Sequence, residues 1–327
     1  MSVLLRGGEG FPGTVAVASV SKRFGHILAL DDLSLDIHEG EAFALLGPNG
    51  AGKSTLISII ATIQQPDSGS VAVGGHDVMR SPMKARKMLG IVFQEPSLDT
   101  RLTVQENLDF HGRIHGVPRR QRLRRIEQLL ELVELSEVRH KIVRGLSGGM
   151  KRRAEIARAL VHDAKILILD EPTVGLDAQS REKIWSYLDR VRGERGLTLI
   201  VTTHYIDEVD GCDRVCIVDG GKVLALDSPD ALRSKYAQDT IRARPEDIAT
   251  EQAIFAAFPQ ARLRRNGEIA ISVASPEAGP VMDRLRGFGR GVRYLSLERP
   301  SLESAFLNLT GRELRGEQAA ALGRGRE

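Results

Sequence analysis

The sequence has few of the residues that indicate a secreted, metal-rich or membrane-spanning protein. It contains two cysteines, Cys212 and Cys216, which provide neither a disulfide framework nor a metal-ligand set. Its apolar runs are short, as at 166–169, and fall far below the roughly 20 residues that cross a bilayer. The start of the chain has no long apolar segment like that of a signal peptide. We therefore expect a cytosolic protein with two packed, reduced thiols.

The chain also lacks a large excess of positive charge, which argues against a nucleic-acid partner. The net charge is +3, from 46 Lys and Arg against 43 Asp and Glu. Hydrophobic residues make up 42% and charged residues 27%, ordinary values for a globular protein. A chain of 327 residues can form one large α/β domain and a small second one.

Strand and helix patterns alternate over the first two thirds of the chain, which predicts a largely parallel sheet covered on both faces. A helical insertion is expected at about 95–162, with Leu123, Ile126, Leu130 and Val133 on one apolar face. The arginine-rich run 119–125 predicts a solvated helix face, with anionic lipid or a partner as the alternative. The predicted strands are 14–20, 33–37, 41–46, 70–73, 90–93, 166–170 and 198–202, with two more around 219–221, and the predicted helices are 53–62, 148–162 and 178–192.

The pattern changes near residue 228, which predicts a second, α+β domain. Its expected elements follow the order β-α-β-β-α-β of a split βαβ, ferredoxin-like unit, with a last helix at 301–309. These elements are strands 240–244, 261–265, 268–273 and 292–298 and helices 245–258 and 276–287. The predicted organisation is a disordered segment 1–13, an α/β domain 14–236, an accessory α+β domain 239–311 and a flexible tail 312–327.

A glycine-rich segment contains the most specific motif. Residues 47–55 fit G-x-x-x-x-G-K-[ST] between a predicted strand and a predicted helix. The glycines let the backbone curl so that its N–H groups face phosphate groups. Lys53 would place a positive charge on the β- and γ-phosphates, and Ser54 would offer a hydroxyl to Mg²⁺. The predicted nucleotide-binding residues are Gly47, Pro48, Asn49, Gly50, Ala51, Gly52, Lys53, Ser54 and Thr55.

An apolar strand pattern at 166–169 ends in two acids. A buried strand can bring Asp170 beside the phosphate-binding loop, where it would hold Mg²⁺ directly or through water. Glu171 would then orient the water that attacks the γ-phosphate. Such acids often only solvate a strand end, but after a phosphate-binding loop in an α/β pattern they indicate phosphoryl transfer.

Residues 146–150, Leu-Ser-Gly-Gly-Met, stand at the start of a predicted helix. Ser147, Gly148 and Gly149 would expose a hydroxyl and backbone N–H groups, which together make an anion site. Taken alone, the segment is more simply explained as a helix start with Ser147 as its N-cap.

In their order along the chain, these motifs resemble the ABC ATPase family over about residues 17–226. The resemblance implies a RecA-like P-loop core with an antiparallel β subdomain and a helical insertion, and it implies ATP and Mg²⁺ as cofactors. The segments that carry it are 47–55, Gln94, 146–150, 166–172, the turn 174–177 and His204.

The resemblance also implies roles for single residues. Phe24 matches the aromatic residue that stacks on adenine. Gln94 matches the glutamine that contacts Mg²⁺ and the attacking water and senses the membrane partner. Ser147 and Gly149 match the signature residues that hold the γ-phosphate of the opposite subunit. The implied catalytic residues are Glu171, His204, Lys53 and Gln94, the implied Mg²⁺ ligands are Ser54, Gln94 and Asp170, and Asp177 matches the loop that links the two sites.

The signature departs from the family at Met150, where Gln is usual. Methionine removes a side-chain hydrogen-bonder but leaves Ser147 and the neighbouring N–H groups, so we expect a working site. Segments 146–153 and 300–307 resemble the branch of daunorubicin-resistance-type drug exporters and nodulation-factor exporters. That resemblance implies efflux of a drug-like or other hydrophobic compound, and hence antibiotic resistance.

A single phosphate-binding loop and a single signature imply pairing, with a homodimer as the expected form. The membrane part would be a separate permease of about six transmembrane helices, with the ATPase peripheral on the cytoplasmic face. Two alternatives stay open. One is a non-transport ABC protein acting on DNA or ribosomes, and the other is an importer motor.

Overall fold

The computed structural model describes residues 14–264 and 266–311 and divides into two compact units, 1–226 and 227–327. The predictions of disorder for 1–13 and of a flexible tail for 312–327 lie outside the described residues, as does Arg265 at the end of one predicted strand. Within the described part, no helix has the length and apolarity to cross a membrane.

An antiparallel sheet begins the first unit. Strand β1 (Val15–Phe24) lies between β2 (Ile27–Ile37) and β4 (Ser68–Val73), and β5 (His76–Asp77) extends the β4 edge. Val15 is fully buried and pairs with Ile37 on one side and Val73 on the other. This sheet is the antiparallel β subdomain that the family resemblance implies.

A six-stranded sheet forms the centre of the first unit, in the order β10-β9-β3-β8-β7-β6. Its strands from β6 to β9 run parallel wherever they pair with one another or with β3. All residues of β3 and β7 are buried, as expected for parallel strands covered on both faces. The α/β prediction is confirmed. The strands are β3 (Ala42–Leu46), β6 (Leu89–Val92), β7 (Ile166–Asp170), β8 (Thr198–Thr203), β9 (Arg214–Asp219) and β10 (Lys222–Asp227).

Six helices among the described residues accompany these sheets, and three of them form the insertion between β6 and β7. Thr103 and Glu106 form a capping box at the start of that insertion. One short helix, α2, was not expected from the sequence. The helices are α1 (Lys53–Ile60), α2 (Pro82–Met88), α3 (Val104–Ile114), α4 (Arg119–Leu132), α5 (Gly148–Leu160) and α6 (Ala178–Arg195).

The apolar face of α4 differs from the prediction at its first turn. Ile126 and Leu130 are buried, whereas Leu123 is 41% exposed. Arg122 takes the inward position one turn before Ile126, and its guanidinium donates to Asp109 Oδ1 at 2.6 Å and to the Val117 carbonyl at 2.7 Å. The solvated face predicted for run 119–125 is found at Arg119, Arg120 and Arg124, which are exposed, but not at Arg122, which is buried and paired.

The second unit contains an antiparallel sheet in the order β12-β13-β11-β14, with elements in the sequence β-α-β-β-α-β. Helix α7 contacts α10 within this unit, although the predicted boundary placed it with the ATPase domain. The elements are α7 (Pro229–Tyr236), β11 (Asp239–Pro245), α8 (Ile248–Ala257), β12 (Arg262–Leu263), β13 (Ile269–Val273), α9 (Ala278–Arg286), β14 (Val292–Glu298) and α10 (Leu302–Thr310).

Candidate active site

The loop between β3 and α1 is tightly wound, and its shape depends on two glycines. Gly52 has a φ of 102°, and a Cβ there would lie 2.4 Å from the Ala29 carbonyl oxygen. A Cβ on Gly47 would lie 2.2 Å from the Val218 carbonyl oxygen. Larger residues at either position would open the loop.

Lys53 lies inside this loop. Its side chain is buried, and Nζ donates to the carbonyl oxygens of Gly47 at 2.7 Å and Pro48 at 3.1 Å. Helix α1, which begins at Lys53, has no side-chain cap and no acidic residue in its first turn. Its first N–H groups and the ammonium therefore offer positive charge to an anion.

The parallel strands bring four predicted segments to one edge of the sheet. Strands β3, β6, β7 and β8 run in the same direction, so their carboxyl ends meet. Gln94 follows β6, Asp170 and Glu171 stand at the end of β7, and His204 follows β8. The sequence separates these residues widely, and the sheet unites them beside Lys53.

Asp170 and Ser54 place two oxygen atoms together. Ser54 Oγ and Asp170 Oδ1 are 3.5 Å apart, and the Thr202 hydroxyl donates to the same carboxylate oxygen. Asp170 is 8% exposed. A hydroxyl and a buried carboxylate at the mouth of a phosphate-binding loop are the oxygen ligands that Mg²⁺ prefers, so the donor set fits that ion.

Glu171 is held from three sides. Its backbone has the unusual φ of 47°, and its N–H donates to the Thr202 carbonyl at 3.1 Å. Gln94 Nε2 donates to one carboxylate oxygen at 3.1 Å, and His204 Nδ1 lies 3.2 Å from the other. The hydrogen bond with His204 lowers the pKa of Glu171, so its carboxylate is ionised at neutral pH.

Arg152, for which the sequence predicted no role, connects helix α5 to this edge of the sheet. Its buried guanidinium donates to the carbonyl oxygens of Asp170 at 3.2 Å and Glu171 at 3.1 Å. It also donates to the Phe93 carbonyl, one residue before Gln94, at 2.6 Å. A single side chain thus fixes the backbone that presents both acids and the glutamine.

The position of Arg152 could have been noticed in the sequence. It stands one helical turn before Ile156, on the face of α5 that is buried. A charged residue on an apolar helix face is costly unless it is paired, which points to a specific partner. Glu155 supplies one, at 3.1 Å, and also accepts from the Ser97 N–H at 2.7 Å.

The signature segment forms a second cluster with the Asp177 turn. Ser147 is the N-cap of α5, and its exposed hydroxyl accepts from the Met150 N–H at 3.3 Å. Asp177 caps α6 by accepting from the Ser180 N–H at 2.9 Å. A Cβ on Gly149 would lie 3.2 Å from Ser180 Oγ, so the two helix starts adjoin. Ser147 and Asp177 thus both serve as helix N-caps in this chain.

Phe24 lies at the end of β1 with 44% of its surface exposed. Lys22 Nζ is 5.5 Å from its ring centroid.

Cys212 and Cys216 are buried, free cysteines, and burial raises the pKa of each thiol to about 12. The prediction of two packed thiols agrees with this burial.

Comparison with known proteins identifies the family. The ABC transporter family profile matches residues 30–174. The daunorubicin resistance ATP-binding protein DrrA3 of Streptomyces coeruleorubidus is 35% identical, over 94% of this chain and 98% of its own. The Nod factor export ATP-binding protein I of Burkholderia lata is 40% identical, over 90% of this chain and 96% of its own.

Solved structures agree with this result. The ATP-binding cassette MJ0796, described as a dimer in a post-hydrolysis state with ADP and Pi, superposes with a TM-score of 0.59 at 31% identity. The match covers 65% of this chain and 98% of the cassette. With its phosphate-binding loop, acidic strand end and histidine at one sheet edge, the chain belongs to the ATP-binding, ATP-hydrolysing subunits of ABC transporters.

Proposed function

We propose that this chain is the motor of an exporter and acts on a separate membrane permease from the cytoplasmic face. The observation that carries the catalytic part is the Glu171 carboxylate, held between Gln94 and His204 at the end of β7. An ionised carboxylate fixed at this edge can accept a hydrogen bond from water and orient it toward a phosphate seated in the adjoining loop.

Lys53 and the N–H groups of the loop would bind the β- and γ-phosphates of ATP. On binding, the Lys53 ammonium would exchange the carbonyl oxygens of Gly47 and Pro48 for phosphate oxygens. Ser54, Asp170 and Gln94 would hold Mg²⁺, which supplies neutralisation of phosphate charge when it is bound. Phe24, exposed at the end of β1, would stack on the adenine.

Glu171 would orient the attacking water, and His204 would contact the γ-phosphate. Because the imidazole of His204 also lies against Glu171, one side chain connects the phosphate to the group that positions the water. Rate enhancement would come from position and charge, as in other phosphoryl-transfer sites.

The exposed signature supports a dimer. Ser147 and Gly148 face solvent at the start of α5, where N–H groups and a hydroxyl can receive an anion, and Asp177 faces solvent at the adjoining start of α6. We infer that this surface completes the ATP site of a second subunit, and that ATP favours the closed pair through its higher affinity for it. The cassette MJ0796, which is described as dimeric, is a precedent.

The exporter assignment rests on the whole chain. The drug-resistance and Nod factor export relatives match over 94% and 90% of it, which includes most of the second unit. The cassette structure covers 65%. We propose on this basis that the second unit is an accessory domain for regulation or partner recognition, and that the cargo is drug-like or otherwise hydrophobic. An importer motor and a non-transport ATPase are the alternatives.

The dimer can be tested with Glu171→Gln, which should retain ATP and accumulate the closed state. With Mg²⁺ and ATP, light scattering should show its mass double. Adding Ser147→Arg should prevent this, because a bulky cation would fill the signature surface. Adding Ser234→Arg, at an exposed position of α7 in the second unit, serves as the control and should leave the doubling intact. An unchanged mass of Glu171→Gln with and without ATP would contradict the proposal.

The exporter role needs its own experiment. The full chain, expressed with its chromosomal neighbours, should co-purify from detergent-solubilised membranes with a polytopic subunit of about six transmembrane helices. Cells that contain both should accumulate less of a hydrophobic dye, and Glu171→Gln should abolish the difference. Dye accumulation that rises with ATP turnover would indicate an importer, and association with ribosomes or DNA would indicate the non-transport class.

A further inference from the structure

Three histidines meet in the helical insertion, and none of them is among the residues assigned to the ATP site. His111 lies in the last turn of α3, His115 is the C-cap of that helix, and His162 follows α5 by two residues. One ligand nitrogen from each lies within 4.8 Å of the other two. The cluster therefore joins the ends of two helices that pack on each other.

His162 makes the outer hydrogen bond that usually accompanies a metal-bound histidine. Its Nε2 lies 2.9 Å from the Leu89 carbonyl oxygen, and an oxygen that can only accept requires Nε2 to carry the proton. Nδ1 then keeps its lone pair. That nitrogen is buried and has no hydrogen-bond partner among the described residues. A backbone carbonyl that fixes the tautomer and leaves the other nitrogen open is the usual outer contact of a metal-bound histidine.

An unpartnered buried nitrogen costs free energy, which a ligand would recover. Water could bond to Nδ1, but it would not account for two further imidazoles at the same place. A metal ion binds the unprotonated nitrogen of a neutral imidazole, and the contact with Leu89 leaves that nitrogen at Nδ1 of His162.

We propose that His111, His115 and His162 form a binding site for a divalent transition-metal ion of the zinc class. Imidazole nitrogens select such ions over Mg²⁺, which prefers oxygen. Three protein nitrogens and one water would complete a tetrahedral shell. The site is thus distinct in chemistry from the oxygen donors of Ser54 and Asp170.

Metal binding would draw the three nitrogens closer together. With Zn–N bonds of about 2.0–2.1 Å, tetrahedral nitrogens stand roughly 3.4 Å apart, less than their present limit of 4.8 Å. The His115 ring is stacked on His162, with centroids 3.9 Å apart, and its residue is exposed. Rotation of that ring would turn its nitrogen toward the other two. The ion would tie α3 to α5, the helix that begins beside Ser147.

The test uses the full chain, without a histidine tag and without nucleotide, titrated with Co²⁺ and then Zn²⁺. Wild type should bind one ion with the strong visible absorption of tetrahedral Co²⁺, and Zn²⁺ should bleach it. His115→Ala removes an exposed side chain, so it should fold, and it should weaken binding by at least about tenfold, the lower end of the loss typical for removal of an outer contact. His140→Ala, an exposed histidine elsewhere in the insertion, is the matched control.

A second measurement separates a site from loose association. Zn²⁺ should raise the melting temperature of wild type and of His140→Ala but not that of His115→Ala or His111→Ala, because only ions bound to the native state stabilise it. Equal Co²⁺ affinity in wild type and His115→Ala would overturn the proposal. A weak, octahedral Co²⁺ spectrum in wild type would also overturn it, because it would indicate oxygen ligands.

Discussion

The two units of this protein use their sheets differently. Strand β7 in the first unit is buried at every position, whereas β13 in the second alternates between fully and partly buried residues. A parallel sheet covered on both faces can present polar groups only where its strands end. An antiparallel sheet can carry them along a whole face. The first arrangement concentrates polar residues at one edge, and the second disperses them.

Charged residues follow the same division. The first unit buries Lys53, Arg152 and Asp170 around one edge, while the second spreads ion pairs such as Arg242 with Glu298 over partly exposed strands. Buried charges are costly unless they are paired, so a buried lysine, arginine and aspartate at one edge of the first sheet indicate chemistry there. This difference supports the accessory role proposed for the second unit.

The largest expected effect tests whether the chemistry is confined to the first unit. Glu171→Gln should lower ATP turnover by about 10²–10⁴-fold and leave ATP binding intact, because the amide keeps the size of the carboxylate but cannot accept a proton. Glu251→Gln, on α8 of the second unit, is the control and should turn over at the wild-type rate. Steady-state phosphate release and nucleotide titration give both quantities. Turnover of Glu171→Gln near the wild-type rate would contradict the role assigned to Glu171.

A smaller effect tests the cost of a buried charge. Arg152→Ala should destabilise the first unit by about 3–5 kcal/mol, since it leaves the buried Glu155 carboxylate without its ion-pair partner. It should also slow turnover in the molecules that remain folded, because the backbone at Glu171 loses its anchor. Arg284→Ala, at an exposed arginine over the Phe258 ring, should cost within about 0.5 kcal/mol. Urea unfolding measures the loss of stability in each variant. Equal losses in Arg152→Ala and Arg284→Ala would contradict the expected difference between the two units.

The smallest effect on turnover is expected for a substitution in the hydrophobic core of the second unit. Ile271→Ala and Ile168→Ala each remove a fully buried side chain and should cost about 2–5 kcal/mol. Below its melting temperature, Ile271→Ala should hydrolyse ATP at the wild-type rate, while Ile168→Ala, in the strand that carries Asp170, should not. Calorimetry should show which transition each variant moves. Slow turnover by well-folded Ile271→Ala would mean that the second unit takes part in the reaction cycle.

Much of the site was predictable because its motifs are local. The glycine-rich turn before a helix and the two acids at the end of an apolar strand each lie in one short segment of the sequence. The parallel sheet then brings these two segments together. Arg152 was missed because its partners are carbonyl oxygens, which every residue has. Leu123 was placed on the wrong face because α4 turns Arg122 inward to reach Asp109, in the preceding helix.

By itself the sequence determined the α/β class, the phosphate-binding loop and the residues that end β7, since each follows from local backbone preference and side-chain period. Only the tertiary structure decided which residues meet across the chain. It set Glu171 between Gln94 and His204, and it brought His162 to His111 and His115. Such contacts depend on the packing of whole helices and strands, which residues far apart in sequence determine jointly.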